Sequence, residues 1–219
     1  AEEAFKEAPD MAPYVLLLNP QIERIEFIDQ TKTTSTKVNY VMPCSHGEKV
    51  DELQDGTIYK NTISIVDSNK GEDKLCLYYI ESSEKIDNGE TQQAKVTVIL
   101  PVREEKDGSL RVTRFGKNVP QIYLYLPLLG TEQWGFNYLF HSPQLTCDRD
   151  SRDSLRLVGN GQNNDHQAQE NREIIDMVNK LIWQFIEKRI EELKDAKNLV
   201  SVNFKTQQSD EELAAYYTE

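Results

Sequence analysis

The sequence predicts an α+β fold, with an antiparallel sheet or sheets packed against a long C-terminal amphipathic helix. Two observations carry this. Strand-like apolar runs follow one another as far as residue 141, separated by turn residues. A single stretch, Glu170–Leu193, then repeats its apolar residues at three- and four-residue steps without a Pro or Gly. Because the strands precede the helix, the sheet is expected to offer it one face.

Ala1–Ala12 is acidic and helix-prone up to Pro9, where Pro9 and Pro13 are expected to break it. Tyr14–Asn19 (YVLLLN) is a short continuous apolar run and reads as a buried strand, interrupted by Pro20. Ile22–Ile28 alternates apolar and charged residues, and Thr31–Met42 is rich in Thr and Val, so both read as strands. Ser45–Gly56 is polar and reads as turn. Thr57–Asp67 (TIYKNTISIVD) and Lys74–Ser82 (KLCLYYIES) are strands joined by SNKGED, where Gly71 supplies the turn of a hairpin. Ile86–Gln93 is polar around the turn dipeptide Asn88-Gly89. Ala94–Val102 (AKVTVILPV) is strongly β-branched and is a strand. The charged turn Arg103–Gly108 returns the chain through Leu110–Phe115. Ile122–Leu128 and Tyr138–His141 complete the strand set.

Gly159–Gln169 is a polar loop. The helix after it carries Ile174, Ile175, Val178, Leu181, Ile182, Phe185, Ile186, Ile190 and Leu193 on one face, with Glu187, Lys188, Glu191, Glu192 and Lys194 on the other. At this length it spans roughly 35 Å. Leu199–Phe204 is a short apolar run. Ser209 is placed to N-cap a second, acidic helix with Glu211 and Glu212 in its first turn.

The formal charge is 25 − 37 = −12. Such a field repels phosphate backbones and anionic bilayers, so neither nucleic acid nor membrane is expected as a partner. No run approaches the ~20 apolar residues of a membrane helix. Cys44, Cys76 and Cys147 are odd in number and widely spaced, which reads as three thiols in a reducing, cytoplasmic compartment and not as a disulfide framework or zinc site. The chain opens AEEAFKEAPD, without Met and without a basic-then-apolar leader, and is read as a segment excised from a longer protein rather than a processed one.

Nucleotide and hydrolase motifs are missing: there is no GxxxxGK[ST], GxGxxG, HExxH or GxSxG. Gly159-Asn160-Gly161 reads as a flexible linker, with a phosphate nest as its alternative. His141, beside Ser142 and near Cys147, Asp148 and Asp150, would be the centre of any small hydrolase, yet no oxyanion donor accompanies it. Packing against Trp134 or Phe140 is the plainer expectation. Tyr123 and Tyr125, and separately Trp134, Phe136, Tyr138 and Phe140, step by two and so share strand faces, either as core or as a protein-binding surface. The loop Cys147–Arg156 (CDRDSRDSLR) interleaves Asp148, Asp150 and Asp153 with Arg149, Arg152 and Arg156. It is either a salt-bridged solvated turn or a device presenting an arginine, whose planar, permanently charged fork suits a phosphate.

The segment Tyr123–Leu128 (YLYLPL) resembles the "F-L-P-L" strand of sacsin-like ATP-binding proteins. Asn137–Pro143 followed by Arg152-Asp153 resembles that family's next strand and arginine-bearing loop. Ala94–Pro101 is similar to the preceding strand, and Ala12–Asp29 to the join just after the ATP-binding domain. Together these cover Pro13 to Leu193. The resemblance places the chain in the wider gyrase, heat-shock-protein-90, histidine-kinase and MutL superfamily. It implies residues 1–30 as the tail of, or linker from, an ATP-binding domain, 31–200 as a ribosomal-protein-S5-like transducer (middle) domain, and 201–219 as an acidic C-terminal helix. It further implies Arg152, with Arg149 as second candidate, as the catalytic contact to the γ-phosphate of ATP. ATP and magnesium would belong to the longer protein, with no cofactor in this chain. Partners would be the N-terminal ATP-binding domain and a protein client, and a homodimer is compatible. The alternative from another class is an acidic protein-binding module with no enzymatic role.

Overall fold

Three long strands, β4 (Thr57–Asp67), β5 (Gly71–Asp87) and β6 (Thr91–Leu100), form an antiparallel meander at the centre of the molecule. The computed structural model describes residues 2–30, 36–44, 46–87, 91–147, 155–157 and 165–200. The meander is in continuous register from Thr57↔Glu81 to Asp67↔Gly71 and from Tyr78↔Leu100 to Asp87↔Thr91. Gly71 has φ +92°, the left-handed conformation that the hairpin turn requires. On the far edge of β4, β2 (Thr36–Val41) covers Ser64–Asp67 and β3 (Glu48–Glu52) covers Thr57–Lys60. β1 (Arg24–Asp29) pairs with β2.

Beyond β6 the sheet continues through β11 (Leu139–His141), β9 (Ile122–Leu124) and β10 (Leu126–Pro127). β11 is antiparallel to β6 but parallel to β9, so the sheet is mixed and not wholly antiparallel as expected. Pro101 follows β6, and the chain passes there into a second, small sheet. It consists of β7 (Val102–Glu104), β8 (Leu110–Val112) and β12 (Leu193–Lys194), with β12 parallel to β8. Thr113 anchors the crossing, donating to the Pro101 carbonyl from its amide at 2.7 Å and its hydroxyl at 3.0 Å.

Strand alternation divides the core between two helices. Ile80 and its partner Val98, with Val96, Leu100, Ile122 and Phe140, face α2 (Asp165–Arg189). They meet its fully buried Ile174, Val178, Leu181 and Phe185. Leu77, Tyr79, Ile99 and Leu139 face the other way, toward Val15, Leu16 and Leu18 of α1 (Glu2–Leu18). A short helix, α3 (Lys197–Val200), buries Leu199 beside β8.

The structure corrects several expectations. Tyr14–Leu18 is not a strand, and the helix is not broken at Pro9 or Pro13: both lie inside α1. The two prolines are four residues apart, so the N–H missing from Pro13 would have met the Pro9 carbonyl. Burial of Met11, Ala12, Val15, Leu16 and Leu18 at helical spacing offsets the lost bonds. The polar stretch Ser45–Gly56 contains β3, whose side chains stay largely exposed while its backbone pairs with β4. Ile122–Leu128 is not one strand; it folds back at Tyr125, so that Leu126 pairs with Leu124. α2 starts before Glu170 because Ala168 and Asn171 continue its inner face. It ends before Ile190, which is half exposed, and Leu193 lies in β12. The acidic helix expected from Ser209 falls outside the described residues. Among the described residues, no helix is long and apolar enough to cross a membrane.

Candidate functional site

The arginines singled out by sequence, Arg149 and Arg152, lie in 148–154, outside the described residues. The structure does describe the root from which that loop leaves and to which it returns. Cys147 and Leu155 form an antiparallel bridge, and the Arg156 amide donates to the Thr146 carbonyl at 3.3 Å. Asn171, in the second turn of α2 and fully buried, closes this root from below. Its side-chain oxygen accepts from the Thr146 amide at 2.9 Å. Its amide nitrogen donates to the carbonyls of Thr146 at 2.8 Å and Arg156 at 2.7 Å. A primary amide matches this task because it carries donor and acceptor on one planar group.

Apolar burial fixes the rest of the root. Leu145, Leu155 and Leu157 join the core between sheet and α2. Arg172 donates to the Leu157 carbonyl. The third arginine of the loop motif, Arg156, is itself buried, so it belongs to the root and not to a solvated turn. The root is therefore fastened to α2 along Asn171 and Arg172, and α2 is fastened to the sheet. Tyr138 donates its hydroxyl proton to Asn179 at 2.6 Å. Asp55, in the β3–β4 turn, pairs with Lys180 at 2.9 Å and accepts from Gln184. These two donors, Lys180 first, hold the Asp55 carboxyl below the usual carboxylate range.

His141 has no catalytic setting among the described residues. It lies on the α1 side of the sheet, opposite Phe140 and Trp134, because neighbouring strand residues point to opposite faces. Its Nδ1 is 2.9 Å from the Tyr123 carbonyl and 3.3 Å from the Tyr125 amide nitrogen, so with its proton it donates to that carbonyl and without it accepts from that amide. The ring packs against Tyr125, with centroids 4.5 Å apart. Tyr125 sits at φ +65°, unusual for a residue with a side chain, and the Asn19 side chain holds its carbonyl at 2.6 Å. This reversal leaves Tyr125, Leu126 and Leu129 exposed. Trp134, Phe136, Tyr138 and Phe140 are core, with Phe136 and Tyr138 stacked at 5.1 Å.

Burial pushes the His141 pKa down, and the bond to the Tyr123 carbonyl opposes this in part. The folded state thus favours the neutral ring, while the unfolded chain takes up a proton below about pH 6.5. Stability is expected to be full above that pH and to fall as pH drops toward the folded-state value. His141→Asn keeps a donor for the Tyr123 carbonyl and should flatten the fall of urea-melt stability below about pH 6.5. An unchanged slope in the variant would assign the titration to another group.

Sequence reasoning missed Asn171. Its signal was a polar residue in phase with the apolar stripe Ile174, Val178, Leu181, which only a satisfied buried amide explains. Cys44, Cys76 and Cys147 are free of disulfides, and no described group of His, Cys, Asp and Glu could hold a metal. No protein-family model, curated protein or solved structure matches this chain.

Proposed function

We propose that this chain is the transducer, or middle, domain of a sacsin-like, heat-shock-protein-90-like ATPase. In this reading its α+β unit is of the ribosomal-protein-S5-like type and acts in the cytoplasm on a protein client. ATP and magnesium are held by a separate N-terminal domain, and Arg152, with Arg149 as its neighbour, reaches the γ-phosphate. The observation that carries the reading is the Asn171 clamp. Three hydrogen bonds tie both strands of the arginine-loop root to α2, and α2 covers one face of the sheet. ATP that attracts Arg152 would favour the docked arrangement, and the root would pass that bias to helix and sheet as one body.

The chain alone should not bind nucleotide. Titration calorimetry at about millimolar ATP is expected to show no saturable heat, the weakness of a Kd above that range. One-to-one binding by the chain alone would overturn the reading. The positive arm is magnesium-dependent turnover in a longer polypeptide that includes this chain. A second reading, the acidic protein-binding module, is favoured by one observation: Trp183 stands exposed on α2.

A further inference from the structure

At the reversal between β9 and β10, one nitrogen of a buried ring meets both an acceptor and a donor. The His141 Nδ1 is 2.9 Å from the Tyr123 carbonyl and 3.3 Å from the Tyr125 amide nitrogen. A neutral imidazole serves either neighbour, depending on whether Nδ1 or Nε2 carries its proton. An imidazolium has a proton on both nitrogens and serves only the carbonyl, which leaves the Tyr125 amide facing a second donor.

The cover over this ring is thin. His141 is 6% exposed, and the ring of Tyr125 lies against it, while Tyr125 itself is 47% exposed. Tyr125 holds a left-handed φ of +65°, which it keeps only while its bonds outweigh that strain. The ties of the arm 125–128 are few. The Asn19 side chain, one residue past α1, donates to the Tyr125 carbonyl at 2.6 Å and to the Val15 carbonyl at 2.7 Å. The Leu128 amide donates to the Ile122 carbonyl at 2.9 Å, and Pro127 has no N–H to offer.

The other titratable groups around His141 stand on each neighbouring element. Tyr123 is on β9, and Tyr14 meets it from α1, with Asp10 acting on Tyr14. Thr97 is the partner of His141 on β6, with Lys95 two residues along, and Glu81 pairs with Thr97 from β5 under the influence of His46. None of these enters the balance at His141, where burial lowers the pKa and the Tyr123 carbonyl opposes it.

We propose that His141 is a proton-operated catch on the β9–β10 reversal: proton uptake by its ring releases the arm 125–128 from β9 and from Asn19, and proton loss closes it again. Release gives the imidazolium the water that Tyr125 withholds in the closed form. The open ring titrates near its ordinary value of about 6.5 and the closed ring lower, so acid favours opening. One linked proton raises the opening constant about tenfold per pH unit between those two values. Opening also unties the end of α1, because Asn19 holds the Tyr125 carbonyl. The inference does not depend on the arginine loop.

Hydrogen exchange of single amides, read by nuclear magnetic resonance on the whole chain and corrected for the intrinsic rate, tests this. Val98, paired on both sides by β5 and β11, reports global unfolding. The opening constant at Tyr125 is expected to exceed that at Val98 at least about 100-fold. It should rise about tenfold per unit as pH falls below about 6.5. In His141→Asn, whose amide still offers a donor and an acceptor, the slope should vanish. Asn19→Ala should raise opening at Tyr125 about tenfold at every pH and leave the slope intact. Tyr125→Gly accepts the left-handed φ without strain and uncovers the ring, so the His141 pKa, followed through its ring protons, should rise toward about 6.5. That variant keeps the test decisive if His141→Asn fails to fold, which circular dichroism checks. Equal opening at Tyr125 and Val98, no slope in the unaltered chain, a slope that survives His141→Asn, or a His141 pKa unmoved by Tyr125→Gly would each overturn the proposal.

Discussion

Arg152→Ala, in a polypeptide carrying both the ATP-binding domain and this chain, is expected to lower ATP turnover about 100-fold, equivalent to about 3 kcal/mol of transition-state stabilisation. ATP affinity should change far less. A guanidinium that meets the γ-phosphate as charge redistributes contributes to kcat, whereas a contact made equally in the ground state would show in KM. Folding should be unaffected, because Asn171, Arg172, Leu155 and Leu157 hold the root. Arg149→Ala is the internal control. Small, equal effects from both variants would reduce the loop to a solvated turn. A large effect from Arg149→Ala alone would transfer the role to that residue. An Arg152→Ala protein that fails to fold would make the arginine structural and remove the mechanism's one chemical participant.

Leu181→Ala is expected to destabilise the chain by about 2–5 kcal/mol in denaturant melts. Leu181 is 1% exposed at the middle of the α2 stripe. It lies over the β3–β4 turn, where a Cβ built on Gly56 would fall 3.0 Å from its Cδ2 and 2.9 Å from the Glu81 carbonyl oxygen. That backbone is held in a two-sided ladder and cannot move in to fill the space the leucine vacates. The upper part of the range is therefore expected. A loss below about half a kcal/mol, typical of surface substitutions, would mean that α2 does not depend on the sheet for its stability.

The middles of the meander strands were legible because their residues alternate, but Ile86–Gln93, read as a polar turn, supplies the end of β5 and the start of β6. The Thr57–Asp67 strand keeps its predicted bounds, with Ile58 toward α2 and Ile63 toward α1. The inner stripe of α2 was legible for the same reason at a period near 3.6. What failed had signals that conflict. Tyr14–Leu18 is too short to show a helical period by itself, and Pro9 and Pro13 argued locally against the helix that tertiary burial retains. Glu48–Glu52 has too few apolar residues to announce a strand, because its pairing is backbone to backbone. Ile122–Leu128 looked continuous because a left-handed residue such as Tyr125 leaves no mark in composition. Of the candidate site, the arginine motif was visible but its anchorage was not. A lone Asn in a helix acquires meaning only when three backbone groups converge on it.

The two margins of the large sheet carry a consequence for self-association. Among the described residues it ends on β1 and on β10. β10 is two residues long, and Pro127 has no N–H to donate to a newcomer. β1 presents Arg24 bound to Glu26 at 3.0 Å. The outer side of β3 carries Glu48, Lys49, Asp51 and Glu52, with a register shift between Lys49 and Asp51. Shortness, proline, charge and a bulge are the means by which natural sheets refuse an incoming strand. Such margins give a template for backbone zippering little purchase, so neither domain-swapped ribbons nor cross-β fibres should grow from them in the folded state.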